Sequence, residues 1–112
     1  MGDVSNDTIF LFVYGTLKRG EPGHELMVKA RFVATVMKTH LRWVREAEYP
    51  SCLECDEASN FVVGEIWEVP VADLPLLDEY EGDNYIRKIL RNSNLFAYLL
   101  KEKEADEYIE IS

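Results

Sequence analysis

The hydrophobic positions of this chain fall in short runs separated by polar breaks, and most of the runs carry the period of a strand. Ile9 to Tyr14 (IFLFVY) is apolar and aromatic throughout and stops at Gly15, which predicts a buried strand. Arg31 to Thr39 and Leu41 to Ala47 are rich in β-branched and apolar residues. Phe61 to Val69 starts as a continuous run and then alternates, with Ile66 and Glu68 set against Trp67 and Val69. Tyr85 to Leu90 and Leu95 to Leu100 flank Asn92-Ser93-Asn94, residues that favour turns, and so predict a hairpin. One segment reads as helix, roughly residues 73–80 of ADLPLLDEYEG. Asp73 is expected to cap it through its carboxylate, Pro75 falls in the first turn where a missing N–H costs little, and Gly82 supplies the stop. A weaker helical pattern covers 22–30. About six short strands with one or two flanking helices predict a small α+β fold, and closing the sheet into a small mixed β-barrel would remove its exposed edges.

The length of 112 residues predicts a single domain over 1–112, and a 47% hydrophobic content is enough for one modest core. Residues 1–7 read as a frayed start, and 101–112 (KEKEADEYIEIS) as an acidic tail or short helix. Charge then narrows the partners. The formal net charge is −9 and the twelve Lys and Arg are scattered, so neither nucleic acid nor an anionic membrane surface is expected to bind. No apolar stretch approaches the roughly 18 residues of a membrane span, and no signal-peptide pattern is visible. Two cysteines make no disulfide framework, and the expected location is the cytoplasm.

The candidate chemistry begins where the first strand ends. Gly15 and Gly20 have the G-x-x-x-x-G spacing of a phosphate loop, but Glu21 and Pro22 stand where Lys and Ser or Thr would be needed, so nucleotide binding is not expected. Tyr14-Gly15-Thr16-Leu17 has two readings: a tight turn, or a mouth of the sheet whose freed backbone N–H groups make a concave anion site. Glu81 is the second feature. It shares a helical face with Leu74 and Leu77, where an apolar residue would be expected, whereas Asp78, Glu79 and Asp83 read as solvated charges. A carboxyl drawn into such a site titrates higher and suits general acid–base work; the other reading is a charge at the helix end in water. Tyr85 and Arg87 share one strand face, and Arg87 has three possible partners: a substrate carboxylate, Glu81, or another acid in a structural ion pair. Tyr98 is either a core aromatic or a hydroxyl in a cavity. Cys52 and Cys55 form a C-x-x-C in a loop or short strand; His24 and His40 do not complete a metal-site spacing, so two separate thiols and no metal are expected.

Taken in order, FVYGTLKRG, YPS at 49–51, GEIWEV at 64–69, and LDEYEG followed by YIR resemble the γ-glutamylcyclotransferase-like family over roughly residues 8–100. VYGTLKRGEPGH looks most like its γ-glutamylamine cyclotransferase branch. The resemblance implies a small mixed β-barrel with flanking helices and a cavity at one end. It implies an enzyme that, with no cofactor, converts a γ-glutamyl amide into 5-oxoproline and a free amine. By the same resemblance Glu81 is the catalytic acid–base, and Tyr14, Gly15, Thr16 and Leu17 hold the glutamyl end largely through backbone groups. The competing reading is a binding module of the same fold that recognises a small metabolite without chemistry. Two departures stand out: Cys52 and Cys55 occupy positions that are often plainly apolar in the family, and the C-terminus is short.

Overall fold

The computed structural model describes residues 7–44 and 51–101. The expected frayed start up to residue 6, the far end of the strand expected at 41–47, Tyr49 and Pro50, and the charged segment beyond Lys101 lie outside the described residues. The described residues form seven strands: β1 (Thr8–Val13), β2 (Arg31–Thr39), β3 (Leu41–Trp43), β4 (Cys52–Glu54), β5 (Phe61–Pro70), β6 (Tyr85–Ile89) and β7 (Leu95–Leu100). One α-helix, α1 (Leu74–Glu81), lies between β5 and β6. The segment expected as a weak helix at 22–30 is a 3-10 helix over Pro22–Met27.

Five strands form one mixed sheet in the order β2-β5-β1-β7-β6, and β3 pairs with β4 in a separate ribbon. All pairings are antiparallel except β1 with β7. The central place of β1 explains its unbroken apolar run. Leu11 and Val13 point into one core with Trp67, Val69, Leu74 and Leu77. Phe12 and Tyr14 point into a second with Leu41, Cys52, Val62 and Leu99. The helix α1 covers the first face and the β3–β4 ribbon the second, so both sides of the strand must be apolar.

The mixed sheet and α+β class are as expected, but the sheet does not close: among the described residues no pairing joins the edge strands β2 and β6. Five strands are few for a barrel, since about eight leave an interior just wide enough for side chains. Here other elements bury each face instead. The helix cap also differs from expectation. Asp73 makes no side-chain capping bond, because a 3-10 turn over Val71–Asp73 runs straight into α1 and holds Asp73 at φ −90°, ψ −7°. An N-cap side chain reaches back to the first turn from an extended backbone, which Asp73 lacks. The far end behaves as read: Gly82 turns out at φ 85°, and its N–H donates to the Asp78 carbonyl at 3.0 Å. No helix among the described residues is long and apolar enough to cross a membrane.

Candidate active site

As the chain leaves β1 it loses its strand partners, and Tyr14 to Leu17 curl over the end of the sheet. The carbonyls of this loop are used to hold its shape. Gly15 O accepts from Lys18 N–H at 3.1 Å, and Thr16 O from Gly23 N–H at 2.8 Å. Leu17 O lies 2.9 Å from His24 Nδ1. The N–H groups of Gly15, Thr16 and Leu17 have no partner among the described residues. Gly23 allows the Pro22–Met27 turn to close on this loop: a Cβ there would lie 2.6 Å from the Tyr80 hydroxyl oxygen and 2.9 Å from the Thr16 carbonyl oxygen. On its outer side the loop is clamped to β5. Glu65 accepts the Arg19 N–H at 3.0 Å and the Trp67 indole at 3.0 Å, and the Arg19 guanidinium lies 4.2 Å above the Phe32 ring.

On its inner side the loop borders a cavity of about 280 Å³. Tyr14, Gly15, Thr16, Leu17, Tyr85, Tyr98 and Glu81 all line it, so seven of the eight candidate residues come together although they span most of the chain. Glu81 arrives there as the last residue of α1, on the face that buries Leu74 and Leu77. It is half-buried, and no donor among the described residues bonds its carboxylate. Burial alone pushes its pKa from 4.5 to about 7. Tyr14 is buried and its hydroxyl donates to the Tyr98 carbonyl. Burial, then the nearby Cys52 and Glu81, raise that phenol well above its ordinary value, so it is a neutral donor at physiological pH. The Tyr85 hydroxyl is 2.6 Å from Ser51 Oγ.

Arg87 is the eighth candidate and does not line the cavity. It pairs with Asp78 through two bonds, Nε to Oδ1 at 2.9 Å and a terminal nitrogen to Oδ2 at 3.1 Å. This corrects the reading of Asp78 as a merely solvated charge: its carboxylate also accepts the Tyr98 hydroxyl. The Arg87 bond, outweighing partial burial and aided by Tyr98, holds the Asp78 carboxyl below its ordinary value. Tyr98 therefore contributes its ring to the cavity wall while its hydroxyl is turned to Asp78. Tyr80 was not foreseen. It lines the cavity and its hydroxyl donates to Thr16 Oγ1 at 2.9 Å. Its helical position, neighbouring Glu81, was the available signal. Cys52 sits buried in β4 with its thiol pushed up by burial, and Cys55 follows the strand; both are free thiols. Among the described residues there is no group of three or more His, Cys, Asp or Glu arranged to hold a metal ion.

Chemically, the cavity offers backbone donors suited to a carboxylate or an oxyanion, set against one carboxyl that can take up or release a proton near neutrality. Comparison with known proteins bears on what such a site does. A family model described as gamma-glutamyl cyclotransferase, AIG2-like, matches residues 11–111. The gamma-glutamylaminecyclotransferase of Rattus norvegicus is 39% identical over 80 residues, which cover 64% of this chain and 54% of that protein. The chain thus spans about half the length of the curated relatives it matches. Among solved structures, an AIG2-like protein from Mus musculus superimposes with a TM-score of 0.68 at 30% identity, covering 91% of this chain and 82% of that one. A uropathogenic E. coli-specific protein does so with a TM-score of 0.76 at 25% identity, covering 89% and 84%.

Proposed function

The chain belongs to the gamma-glutamyl cyclotransferase, AIG2-like family, and from that membership we propose that it converts a γ-glutamyl amide into 5-oxoproline and a free amine, acting as one domain. The observation that carries the proposal is one cavity lined both by Gly15, Thr16 and Leu17, whose backbone N–H groups have no partner among the described residues, and by Glu81 with its half-buried carboxyl. The mouse and rat relatives, each named a gamma-glutamylaminecyclotransferase, support the substrate class.

The substrate's glutamyl end meets the loop at 14–17, whose N–H groups receive its α-carboxylate or the developing oxyanion. Glu81 takes a proton from the α-ammonium. The freed amine attacks the γ-carbonyl carbon of the same molecule and closes a five-membered lactam. The protonated Glu81 gives its proton to the departing amine, whose bond to the γ-carbon breaks, and the ring nitrogen sheds its second proton to water or to the released amine, which leaves a neutral lactam. Holding the two reacting groups together is worth up to about 7–11 kcal/mol in well-oriented intramolecular cases. A base with a pKa of about 7 suits both proton transfers at neutral pH. Tyr14 and Tyr98 shape the wall, with Tyr85 at its side. The steps call for no cofactor. A small polar substrate, the acidic net charge and two free thiols fit work in the cytoplasm.

The test is incubation of the protein with a panel of γ-glutamyl amides and γ-glutamyl amino acids, with 5-oxoproline followed by mass spectrometry. Release from at least one member is expected. Binding of the panel by calorimetry without any 5-oxoproline would replace the enzyme with a metabolite-binding module.

A further inference from the structure

The donors around Glu81 are engaged elsewhere. The Tyr14 hydroxyl, at the end of β1, donates to the Tyr98 carbonyl. The Tyr80 hydroxyl, on α1 itself, donates to Thr16 Oγ1. On β6 the Tyr85 hydroxyl lies against Ser51 Oγ. Behind Tyr14, on β4, the buried Cys52 thiol is pushed up by burial and stays neutral. The remaining two groups, the Tyr98 hydroxyl on β7 and the Arg87 guanidinium on β6, end on a single acceptor, the Asp78 carboxylate. Asp78 stands three residues before Glu81, the spacing at which side chains are neighbours on a helix. It thus shares the helix with Glu81 and holds the hydroxyl of Tyr98, a residue that lines the same cavity as Glu81.

We propose that Asp78 is a positioning residue of this site: by accepting the Tyr98 hydroxyl hydrogen and both Arg87 bonds, it holds a donor and a cation away from Glu81 and leaves that carboxyl free to exchange a proton with substrate. The inference rests on the proposed acid–base role of Glu81. Without the Asp78 carboxylate, the Tyr98 hydroxyl hydrogen turns to other acceptors and the guanidinium is released. Each change favours ionised Glu81, which then binds a proton less tightly and is a weaker base. Asp78 thus touches no reacting atom and acts through what it restrains.

The measurement is a carbon-13 NMR titration of the Glu81 carboxyl in the ligand-free protein, for wild type, Asp78→Ala, Asp78→Asn, Tyr98→Phe and the Asp78→Ala/Tyr98→Phe pair. Asp78→Ala is expected to lower the Glu81 midpoint by about one pH unit or more, the size of shift that a new donor or cation produces. Asp78→Asn keeps an acceptor for Tyr98 but no charge for Arg87, and its midpoint should fall between. Tyr98→Phe alone should leave the midpoint unmoved, and the pair should recover part of the shift. The acid limb of kcat/KM should move with the midpoint. An unmoved midpoint in folded Asp78→Ala overturns the proposal, as does a pair that keeps the whole shift. If the alanine variant does not fold, an unmoved midpoint in Asp78→Asn overturns it equally. Because the titration is read without substrate, it is separate from turnover: a wild type that releases no 5-oxoproline removes the proposed activity and leaves the titration result standing.

Discussion

On its outer side the loop after β1 meets Glu65, whose carboxylate receives the Arg19 amide and the Trp67 indole, each at 3.0 Å; on its inner side the same loop faces Glu81, which receives no bond among the described residues. Both carboxyls are partly buried, and burial pushes both upward. For Glu65 the Arg19 amide, the Trp67 indole and the Arg19 guanidinium outweigh burial and hold the pKa below its ordinary value. For Glu81 nothing opposes burial and the pKa reaches about 7. The difference teaches that donors, and not depth alone, separate the two roles. A carboxylate given three donors is locked in its ionised form and ties structure together, whereas one given none stays able to exchange a proton.

The largest effect is expected from removing the exchangeable proton altogether. Glu81→Gln keeps the shape, and single-turnover release of 5-oxoproline should fall by about 10²–10⁴-fold. Calorimetric affinity for a γ-glutamyl ligand should survive, because the 14–17 backbone is unchanged. Near-normal turnover in a folded Gln variant would remove Glu81 from the chemistry.

Next comes the pH dependence of stability. A carboxyl raised from 4.5 to about 7 by folding stabilises the fold below the unfolded value and loses that contribution as pH rises through 7. The span corresponds to a loss of about 3 kcal/mol between roughly pH 4.5 and pH 8. Glu65, Asp78 and Glu54, whose values are depressed, act with the opposite sign: their contribution is present above the ordinary carboxylate range and is lost as pH falls through their folded values. Urea unfolding across this range should show a stability maximum at roughly pH 5, and Glu81→Gln should flatten the neutral side alone. An unchanged neutral slope in that variant would contradict the buried, donor-free state of Glu81.

A smaller effect is expected on the outer side. Glu65→Gln removes the charge that Arg19 and Trp67 share, and should cost about 1–2 kcal/mol in urea unfolding. Through a looser loop it should raise KM several-fold with kcat nearly constant, and a fall in kcat as large as that of Glu81→Gln would abolish the contrast between the two sites. Least affected of all should be the thiols under native conditions. Cys52 is fully buried with its thiol raised, so iodoacetamide should label Cys55 well before it, read by peptide mass spectrometry. Equal labelling rates would show that the β3–β4 ribbon opens readily.

Local periodicity made much of the fold legible. The unbroken run at 9–14 marks a strand covered on both faces, the pattern at 73–82 sets the helix with its glycine stop, and the spacing of Leu74, Leu77 and Glu81 puts the glutamate on the buried face. These follow from repeats of two and 3.6 residues, which a chain carries wherever it goes. Partners are a different matter. Glu65 finds Arg19 across 46 positions, the Tyr14 hydroxyl finds the Tyr98 carbonyl across 84, and Asp78 collects donors 9 and 20 positions away. Strand order and register set those distances, so the sequence alone left Arg87 with three possible partners and read Asp78 as a solvated charge. The open sheet and the uncapped Asp73 have the same origin: whether an edge is closed or a side chain can reach a helix end depends on what is packed beside it, and only the tertiary structure decides that.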